Sequence, residues 1–322
     1  MAQRPLSGDR LRIGISSCLL GEEVRFDGGH KRDSFLVDTF GQWVEWVTVC
    51  PEVEVGMGTP RETLRLVRDK GELRMLTTRT GVDHTAAMNV WARRRVEALA
   101  REDLCGYVLK KDSPSCGMER VKVYDSHGSP ARTGVGLFAA VPLARFPLLP
   151  VEEEGRLSDP RLRENFVERV FAYRRVRSFF AAGWTVGGLV RFHTVHKLLL
   201  MAHSPEAYQR LGRLVAGAKA AGRRALHERY EREFMEALKV PATARRHVNV
   251  LQHMLGYFRD RLDDASRREL VDCIEEYRRG LVPLIVPLTL VRHHVRALDV
   301  EYLAGQMYLE PNPKELMLRN HV

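Results

Sequence analysis

The chain is poor in cysteine and has no long apolar run, and both absences narrow what it can be. Its five cysteines are an odd number with no C-x-x-C pair, which excludes a disulfide-stapled miniprotein and argues against zinc-ribbon and thioredoxin-like motifs. The longest apolar stretch, residues 281–291, is interrupted by two prolines and falls short of the ~20 residues that span a bilayer. Residues 1–10 contain no apolar signal segment. We therefore expect a soluble, cytoplasmic protein with no membrane partner.

The composition is that of a folded protein with an excess of positive charge. Hydrophobic residues make up 44% of the chain and charged residues 29%, which excludes a disordered or collagen-like chain. The net charge is +10, of which residues 1–150 contribute +3 and the remainder +7. A polyanionic partner is therefore expected for the second part, although many soluble proteins are basic for solubility alone.

Residues 1–150 show the alternation of short β-rich runs and amphipathic stretches that is typical of an α/β domain. We predict a mostly parallel sheet with flanking helices. The predicted strands are 11–18, 47–50 and 105–110, the predicted helices are 33–46 and 84–103, and a hairpin is predicted over 62–77 with its turn at Asp69-Lys70-Gly71.

From residue 151 onward the pattern becomes helical. We predict a linker and connecting helix over 151–184, followed by an all-helical domain over 185–322, because the apolar residues recur at helical spacing almost to the end. The predicted helices are 160–182, 187–202, 205–221, 223–239, 242–263, 266–279 and 288–303.

Three of the cysteines lie in loops rich in turn-forming and polar residues. Cys18 and Cys50 end predicted strands, and Cys116 lies in a Ser-Pro-Ser-Cys turn beyond a third strand. Sites in parallel sheets form beyond the carboxyl ends of strands, so these thiolates can converge on one soft metal centre. Three thiolates suit a zinc ion with one further ligand, or an iron–sulfur cluster with one iron lacking a protein ligand. The alternative is three unrelated buried thiols, as Cys105 and Cys273 are expected to be.

The loops also carry a resemblance to a known family. CLLGEEVRFDGGHKR, CPEVEVGMGTPRE and LKKDSPSCG, in that order, resemble the three signature segments of the thiouracil desulfidase (TudS) family, over roughly residues 10–145. LVRFHTVHKLLLMAHSPEAYQRLGRLVA resembles part of a YbgA-like domain, over roughly 185–305. The fused pair is similar to the RudS family of tRNA 4-thiouridine desulfidases.

The resemblance implies a cofactor, a reaction and a set of site residues. It implies a [4Fe-4S] cluster ligated by Cys18, Cys50 and Cys116, with one open iron to take the substrate sulfur. Catalytic roles fall to Ser113 and to Glu52, with Glu54 as an open alternative. The reaction would be a non-redox hydrolysis that replaces C=S by C=O and releases sulfide, on tRNA carrying 4-thiouridine or on a free thiopyrimidine.

This chemistry needs a group that accepts sulfur and groups that handle protons. An open iron acts as a Lewis acid toward sulfide, and a nearby carboxylate can serve as general base for water. Away from such a site, Glu52 would be an exposed loop carboxylate and Ser113 a turn cap. A different class remains open: a non-catalytic RNA-binding protein that contains zinc or a cluster.

Several basic residues are candidates for binding the substrate or RNA. They are Arg25 and Lys31 in the loop after Cys18, Lys110 and Lys111 before the Ser-Pro-Ser-Cys turn, and His193, His196 and Lys197 on one helical face. An internally salt-bridged loop is the alternative for Arg25 and Lys31. The two histidines, together with the aromatic Phe192, are expected to meet RNA rather than to share a metal, because the motif supplies no third ligand.

Overall fold

The computed structural model describes residues 10–322, which divide into two compact units between Ser158 and Asp159. The predicted boundary at residue 150 lies shortly before this division. Residues 1–9, which entered the expectation that the chain carries no export signal, lie outside the described residues. Over the part that is described, no helix has both the length and the apolar character needed to cross a bilayer.

Within residues 10–158, the N-terminal unit contains two four-stranded sheets and three short-to-medium helices. Its strands are β1 (Leu11–Ser16), β2 (Val44–Val49), β3 (Leu64–Asp69), β4 (Glu72–Thr77), β5 (Gly106–Leu109), β6 (Val121–Tyr124), β7 (Pro130–Gly134) and β8 (Val151–Glu153), and its helices are α1 (Pro51–Glu54), α2 (Thr85–Leu99) and α3 (Leu137–Arg145).

The first sheet is parallel throughout and has the strand order β2-β1-β5-β8. This confirms the predicted α/β class, and it makes the three strands that precede the cysteine loops neighbours. The predicted helix over 33–46 is too long: a π-helical turn and a 3-10 turn end at Gln42, and β2 begins at Val44. Glu45 and Trp46 belong to the strand because they continue its register against β1.

The second sheet has the order β4-β3-β6-β7. Its β3–β4 hairpin is the predicted one, and the turn residues Lys70 and Gly71 both have positive φ, of 47° and 88°, as a two-residue turn that matches strand twist requires. The sheet itself was not predicted, because β6 and β7 are short and most of β7 is exposed, so they show no clear alternation of apolar and polar residues.

The acidic segment predicted to start the linker instead forms the edge strand β8, which pairs with β5. Its glutamates are used inside the unit rather than in solvent. Glu152 accepts from Arg156 at 2.6 Å, Glu153 accepts from the Met118 amide at 2.7 Å, and Glu154 pairs with Lys110 at 2.5 Å. A run of carboxylates can be buried when each one finds a donor.

The C-terminal unit is mostly helical, which confirms the predicted change of class. Its helices are α4 (Pro160–Ala181), α5 (Val186–His203), α6 (Pro205–Ala216), α7 (Arg223–Lys239), α8 (Ala244–Leu255), α9 (Asp264–Arg278), α10 (Ile285–Ala297) and α11 (Glu301–Ala304). The predicted helix over 242–263 ends earlier, at Leu255. The predicted helix over 288–303 begins earlier, at Ile285, because Pro287 falls in its first turn, where proline is tolerated. The same predicted helix is interrupted at Asp299, whose φ is 49°.

Candidate active site

The three cysteine loops follow the carboxyl ends of three adjacent strands of the parallel sheet. Cys18 lies in a 3-10 turn (Ser17–Leu20) directly after β1, and Cys50 follows β2 and precedes α1. Cys116 lies in the loop after β5, the strand on the other side of β1. The strand order therefore brings together segments that are far apart in the sequence, as expected for the carboxyl ends of adjacent parallel strands.

The turn that carries Cys116 is held against the start of α3. The carbonyl of Ser115 accepts from the amides of Phe138 and Ala139, at 3.1 and 3.0 Å. Gly136 permits this approach, because a Cβ at this position would lie 2.4 Å from the same carbonyl oxygen. The Cys116 loop is thus fixed on both sides, by β5 before it and by α3 after it.

All three thiols line a single cavity of about 370 Å³ at this edge. The volume lies within the range of ligand pockets. The cavity is rich in basic groups, since four of the sequence-predicted basic residues line it. The sequence-predicted residues that line it are Cys18, Cys50, Cys116, Glu52, Ser113, Arg25, Lys31, Lys110 and Lys111.

Burial makes the thiols poor acids in the metal-free protein. It raises the pKa of Cys18 to about 11, against the opposing positive charge of Lys110. Burial likewise raises the pKa of Cys50, and raises that of Cys116 well above its ordinary value. The charge of Cys50 also raises the pKa of Cys18 and of Cys116. A soft metal centre would displace these protons. As the thiols are placed here, no three His, Cys, Asp or Glu side chains within residues 10–322 are grouped to hold a metal ion.

Glu52 and Asp112 are the acidic residues that line the cavity, and both carboxylate oxygens of Glu52 are engaged. Arg61 donates to Oε2 from Nε at 2.9 Å and from a terminal nitrogen, and the Ser115 hydroxyl donates to Oε1. The Arg61 side chain is 7% exposed and Ser115 is fully buried. Charge-assisted bonds of this kind orient a carboxylate.

Glu54, the alternative carboxylate, is engaged in a different way. Its Oε1 accepts from the Cys50 amide at 3.1 Å, and its Oε2 lies 3.1 Å from Nε of Arg95 on α2. Glu54 therefore fixes the Cys50 loop to a neighbouring helix, whereas Glu52 lines the cavity.

Ser113 both lines the cavity and caps the Cys116 turn. Its Oγ accepts from the amides of Ser115 and Cys116, at 3.2 and 3.1 Å. These bonds use the oxygen lone pairs, so the hydroxyl proton is still available to a further acceptor. The structural role considered for Ser113 is thus present alongside its position at the cavity wall.

The basic residues of the cavity differ in whether they are paired with a carboxylate. Lys110 pairs with Glu154 at 2.5 Å, and the amide of Lys111 donates to the same carboxylate at 2.8 Å. Arg25 lies 3.5 Å from Asp27 and over the ring of Phe26. Lys31 is exposed and borders the cavity. Positive charge here offsets the negative charge that thiolates bring.

The structure does not bring His193, His196 and Lys197 to this cavity; they lie on α5 in the helical unit. The His196 ring is buried, stacks on Phe192, and is within hydrogen-bond distance of the Phe192 carbonyl and of Arg175. His193 is buried as well, and only Lys197 of the three is partly exposed. The aromatic face that was expected to meet RNA is therefore largely inside the helical unit.

Sequence reasoning missed three residues of the site: Arg61, Ser115 and Ser16. Ser16 ends β1, where its hydroxyl oxygen accepts from the Lys110 amide at 3.0 Å and a hydrogen bond from it favours the Cys116 thiolate. Arg61 and Ser115 both stand inside the motifs that carry the resemblance. The motifs therefore pointed to the segments that contain Arg61 and Ser115, but nothing in the sequence tells which residues of these segments face Glu52.

Comparisons with known proteins agree with the division of the chain. The model of a family described as 2-thiouracil desulfurase matches residues 13–154, and that of a protein family of unknown function, DUF1722, matches residues 197–313. The uncharacterized protein YbgA of Escherichia coli (strain K12) is 34% identical over 161 residues, which are 50% of this chain and 95% of YbgA. The uncharacterized protein YbbK of Bacillus subtilis (strain 168) is 30% identical over 110 residues, which are 33% of this chain and 72% of YbbK.

One solved structure is also similar in sequence. It is described as a [4Fe-4S]-dependent thiouracil desulfidase, TudS, and it shares 30% identity over 46% of this chain and 94% of its own, with a TM-score of 0.39. The chain therefore belongs to the family of YbgA, and its residues 13–154 match the model of the 2-thiouracil desulfurase family.

Proposed function

We propose that this protein is an iron–sulfur-dependent desulfidase that converts 4-thiouridine in tRNA to uridine with release of sulfide. The observation that carries the proposal is the single cavity lined by Cys18, Cys50, Cys116 and the oriented carboxylate of Glu52. The match of residues 13–154 to the model of the 2-thiouracil desulfurase family supports the reaction type. Because tRNA is the substrate, we place the reaction in the cytoplasm.

The donor set suits a [4Fe-4S] cluster held by the three cysteines. Thiolates are the ligands such clusters take, and a cluster places each thiolate on a different iron, so the thiols need not be as close as the ligands of one ion. Arg25, Lys31 and Lys110 supply positive charge beside a negatively charged group. When bound, the cluster would supply a Lewis-acidic iron that takes the sulfur.

The side chains of the cavity handle water and protons. The charge of Glu52 is balanced by Arg61, and its Oε1 shares the Ser115 proton. An ionised carboxylate fixed in this way can accept a proton from the attacking water, a contribution typically worth about 10²–10⁴-fold. The Ser113 hydroxyl proton, free to find an acceptor, can orient that water or the pyrimidine oxygen that forms. Lys31 and Arg25 line the cavity and suit the ribose–phosphate part of the substrate.

The helical unit is proposed to hold the tRNA. Its share of the positive charge supports this role, because lysines and arginines gain affinity for nucleic acid by releasing counterions from phosphates. In A-form RNA the base edges are poorly accessible, so we expect binding with little sequence preference.

The experiment that tests the function is desulfuration by anaerobically purified full-length protein. Iron content and a broad absorbance near ~400 nm establish a cluster; zinc without that absorbance would support the non-catalytic RNA-binding class. Sulfide release is then compared for 4-thiouridine-containing tRNA, 4-thiouridine nucleoside and 4-thiouracil. Preference for tRNA, lost as salt is raised, is the expected result. Equal or better turnover of free 4-thiouracil would shift the substrate to a free thiopyrimidine.

A further inference from the structure

The cavity lined by the three thiols also has apolar walls, which the proposed water and proton chemistry does not use. Val24, Phe26 and Leu64 line it beside the polar groups. Phe26 is the only aromatic residue among those that line the cavity within residues 10–322, and it is 37% exposed. Single exposed apolar side chains are ordinary on a protein surface, so it is the position of Phe26 in the cavity that calls for an explanation.

Hydrogen bonds fix the backbone on both sides of Phe26. The Arg25 amide donates to the Gly29 carbonyl at 3.2 Å, and the Gly28 amide donates to the Arg25 carbonyl at 3.0 Å, which closes a tight loop. Gly28 has φ of 77°, a conformation that favours glycine. The Phe26 carbonyl accepts from the Arg61 amide at 2.9 Å. The loop therefore presents Phe26 at a defined place in the cavity wall.

Arg61 connects Phe26 with the proposed general base. Its amide binds the Phe26 carbonyl, and its side chain binds Oε2 of Glu52. One residue thus positions both an aromatic side chain and a carboxylate that line the same cavity. A reaction at a ring carbon benefits from such a shared frame, because the ring and the group that activates water must keep a fixed relation to each other.

The Phe26 ring has not found an aromatic partner inside the protein. Within the described part of the chain it stacks on no other ring, and the polar group that meets it is the guanidinium of Arg25, 5.3 Å from the ring centroid. A phenyl ring has two faces, of which this cation can cover at most one. The exposed part of the ring is thus available to a second planar group.

We infer that Phe26 is a specificity-determining residue of the cavity, on which the planar ring of a pyrimidine base stacks. The inference deepens the proposed function and rests on it, since the cavity is taken as the desulfidase site. Enzymes that act on a base take it out of its stack and hold it against aromatic and apolar side chains. Stacking recognises the π face of a base rather than its hydrogen-bonding edge. Phe26 therefore selects a planar, unsaturated pyrimidine over a saturated ring with the same polar groups.

The test measures binding of uridine and 5,6-dihydrouridine to the anaerobically purified full-length protein. The two nucleosides carry the same carbonyl and N–H groups on the ring, but saturation of the C5–C6 bond removes the planar π face. We expect the parent chain to bind uridine about tenfold more tightly, in line with the contribution of base–aromatic stacking. Phe26→Leu, which keeps an apolar side chain, should lose most of this preference. Phe26→Tyr, which keeps the ring, should retain it.

Val82→Ala is the matched control, because Val82 is an exposed apolar residue of the same unit that does not line the cavity. It should bind both nucleosides as the parent chain does. Equal affinity of the parent chain for the two nucleosides, binding of neither, or an undiminished preference in Phe26→Leu would overturn the inference.

The outcome is separable from that of the proposed function, because neither nucleoside contains sulfur. A preference for uridine that depends on Phe26, without sulfide release from any thiolated substrate, would support the stacking role and refute the desulfidase. Sulfide release without that preference would support the desulfidase and refute the role of Phe26.

Discussion

Arg61 binds the carboxylate of Glu52 through two of its nitrogens, and the ion pair is mostly shielded from solvent, with side chains that are 7% and 16% exposed. Arg61 comes from the loop before β3, so the pair connects the loop that carries Cys50 to the second sheet. With Ser115 on the other carboxylate oxygen, neither oxygen of Glu52 is left to rotate freely. The orientation of the proposed general base is thus set by two residues outside the cysteine ligand set.

Arg61→Gln should therefore lower turnover while leaving iron content intact. Removing one partner of a buried pair leaves the other charge uncompensated, so Glu52 should lose its fixed orientation, and kcat should fall by about 10²-fold or more. Arg68→Gln, on the exposed hairpin, is the control and should keep parental activity. Parental kcat in Arg61→Gln would show that orientation of Glu52 does not matter for the reaction.

Each of Cys18, Cys50 and Cys116 should be essential for iron. Replacing any of them by Ala should abolish iron incorporation and activity, because a cluster with only three protein ligands is not retained when one of the three thiolates is removed. Cys273→Ala, on a helix of the other unit, should change neither iron content nor turnover. Iron determination on the purified variants decides the matter, and an iron-loaded, active Cys116→Ala would remove that residue from the ligand set.

Glu52→Gln and Ser113→Ala should retain the cluster and lose most turnover, by about 10²–10⁴-fold. Glu54→Gln should behave differently, since Glu54 binds the Cys50 amide and Arg95; we expect weaker iron retention with nearly normal turnover per cluster. Activity normalised to iron separates the two effects. A fully active Glu52→Gln beside an inactive Glu54→Gln would transfer the catalytic role to Glu54.

The helical unit should lose stability in mild acid. Burial lowers the pKa of His196 and of His247 to about 3, so both rings are neutral when folded and take up protons when unfolded. Stability is then complete above the unfolded-state pKa of about 6.5 and declines as pH falls toward the folded value, by on the order of 1–2 kcal/mol per histidine at pH 5.

The nearby ion pair of Glu168 and His203 does not cancel this loss. His203 holds the pKa of Glu168 down to about 2, so that contribution persists until pH falls below ~4.5. Glu168 in turn raises the pKa of His203, whose contribution grows as pH falls toward about 6.5 and is constant below it, so it offsets part of the loss near neutral pH and none of the loss below about 6.5. Urea denaturation at pH 7.5 and 5 measures the difference, and His247→Gln should show a smaller loss between the two. An equal loss in that variant would contradict the assignment.

The sequence was sufficient for the cysteine loops because strand ends and turn residues are local signals. It predicted Cys18, Cys50 and Cys116 beyond strands, and the parallel order of β2, β1 and β5 places them on one cavity. It could not predict β8, since three glutamates suggest solvent until their donors are known. It also placed His193 and His196 on one helical face without showing that this face is packed against Phe192 and Tyr230, because periodicity alone does not tell which neighbours a face meets.

The order of the strands has a consequence for how the protein matures in the cell. β5 lies on the far side of β1 from β2, and the turn with Cys116 follows β5 and then docks on α3. A nascent chain emerging from the ribosome therefore presents two of the three thiols long before the third, and the Cys116 turn has no docking surface until α3 has been synthesised. In the proposed desulfidase, cluster insertion would therefore follow the folding of this unit, and metal delivery, rather than translation, would be the last step in making an active molecule.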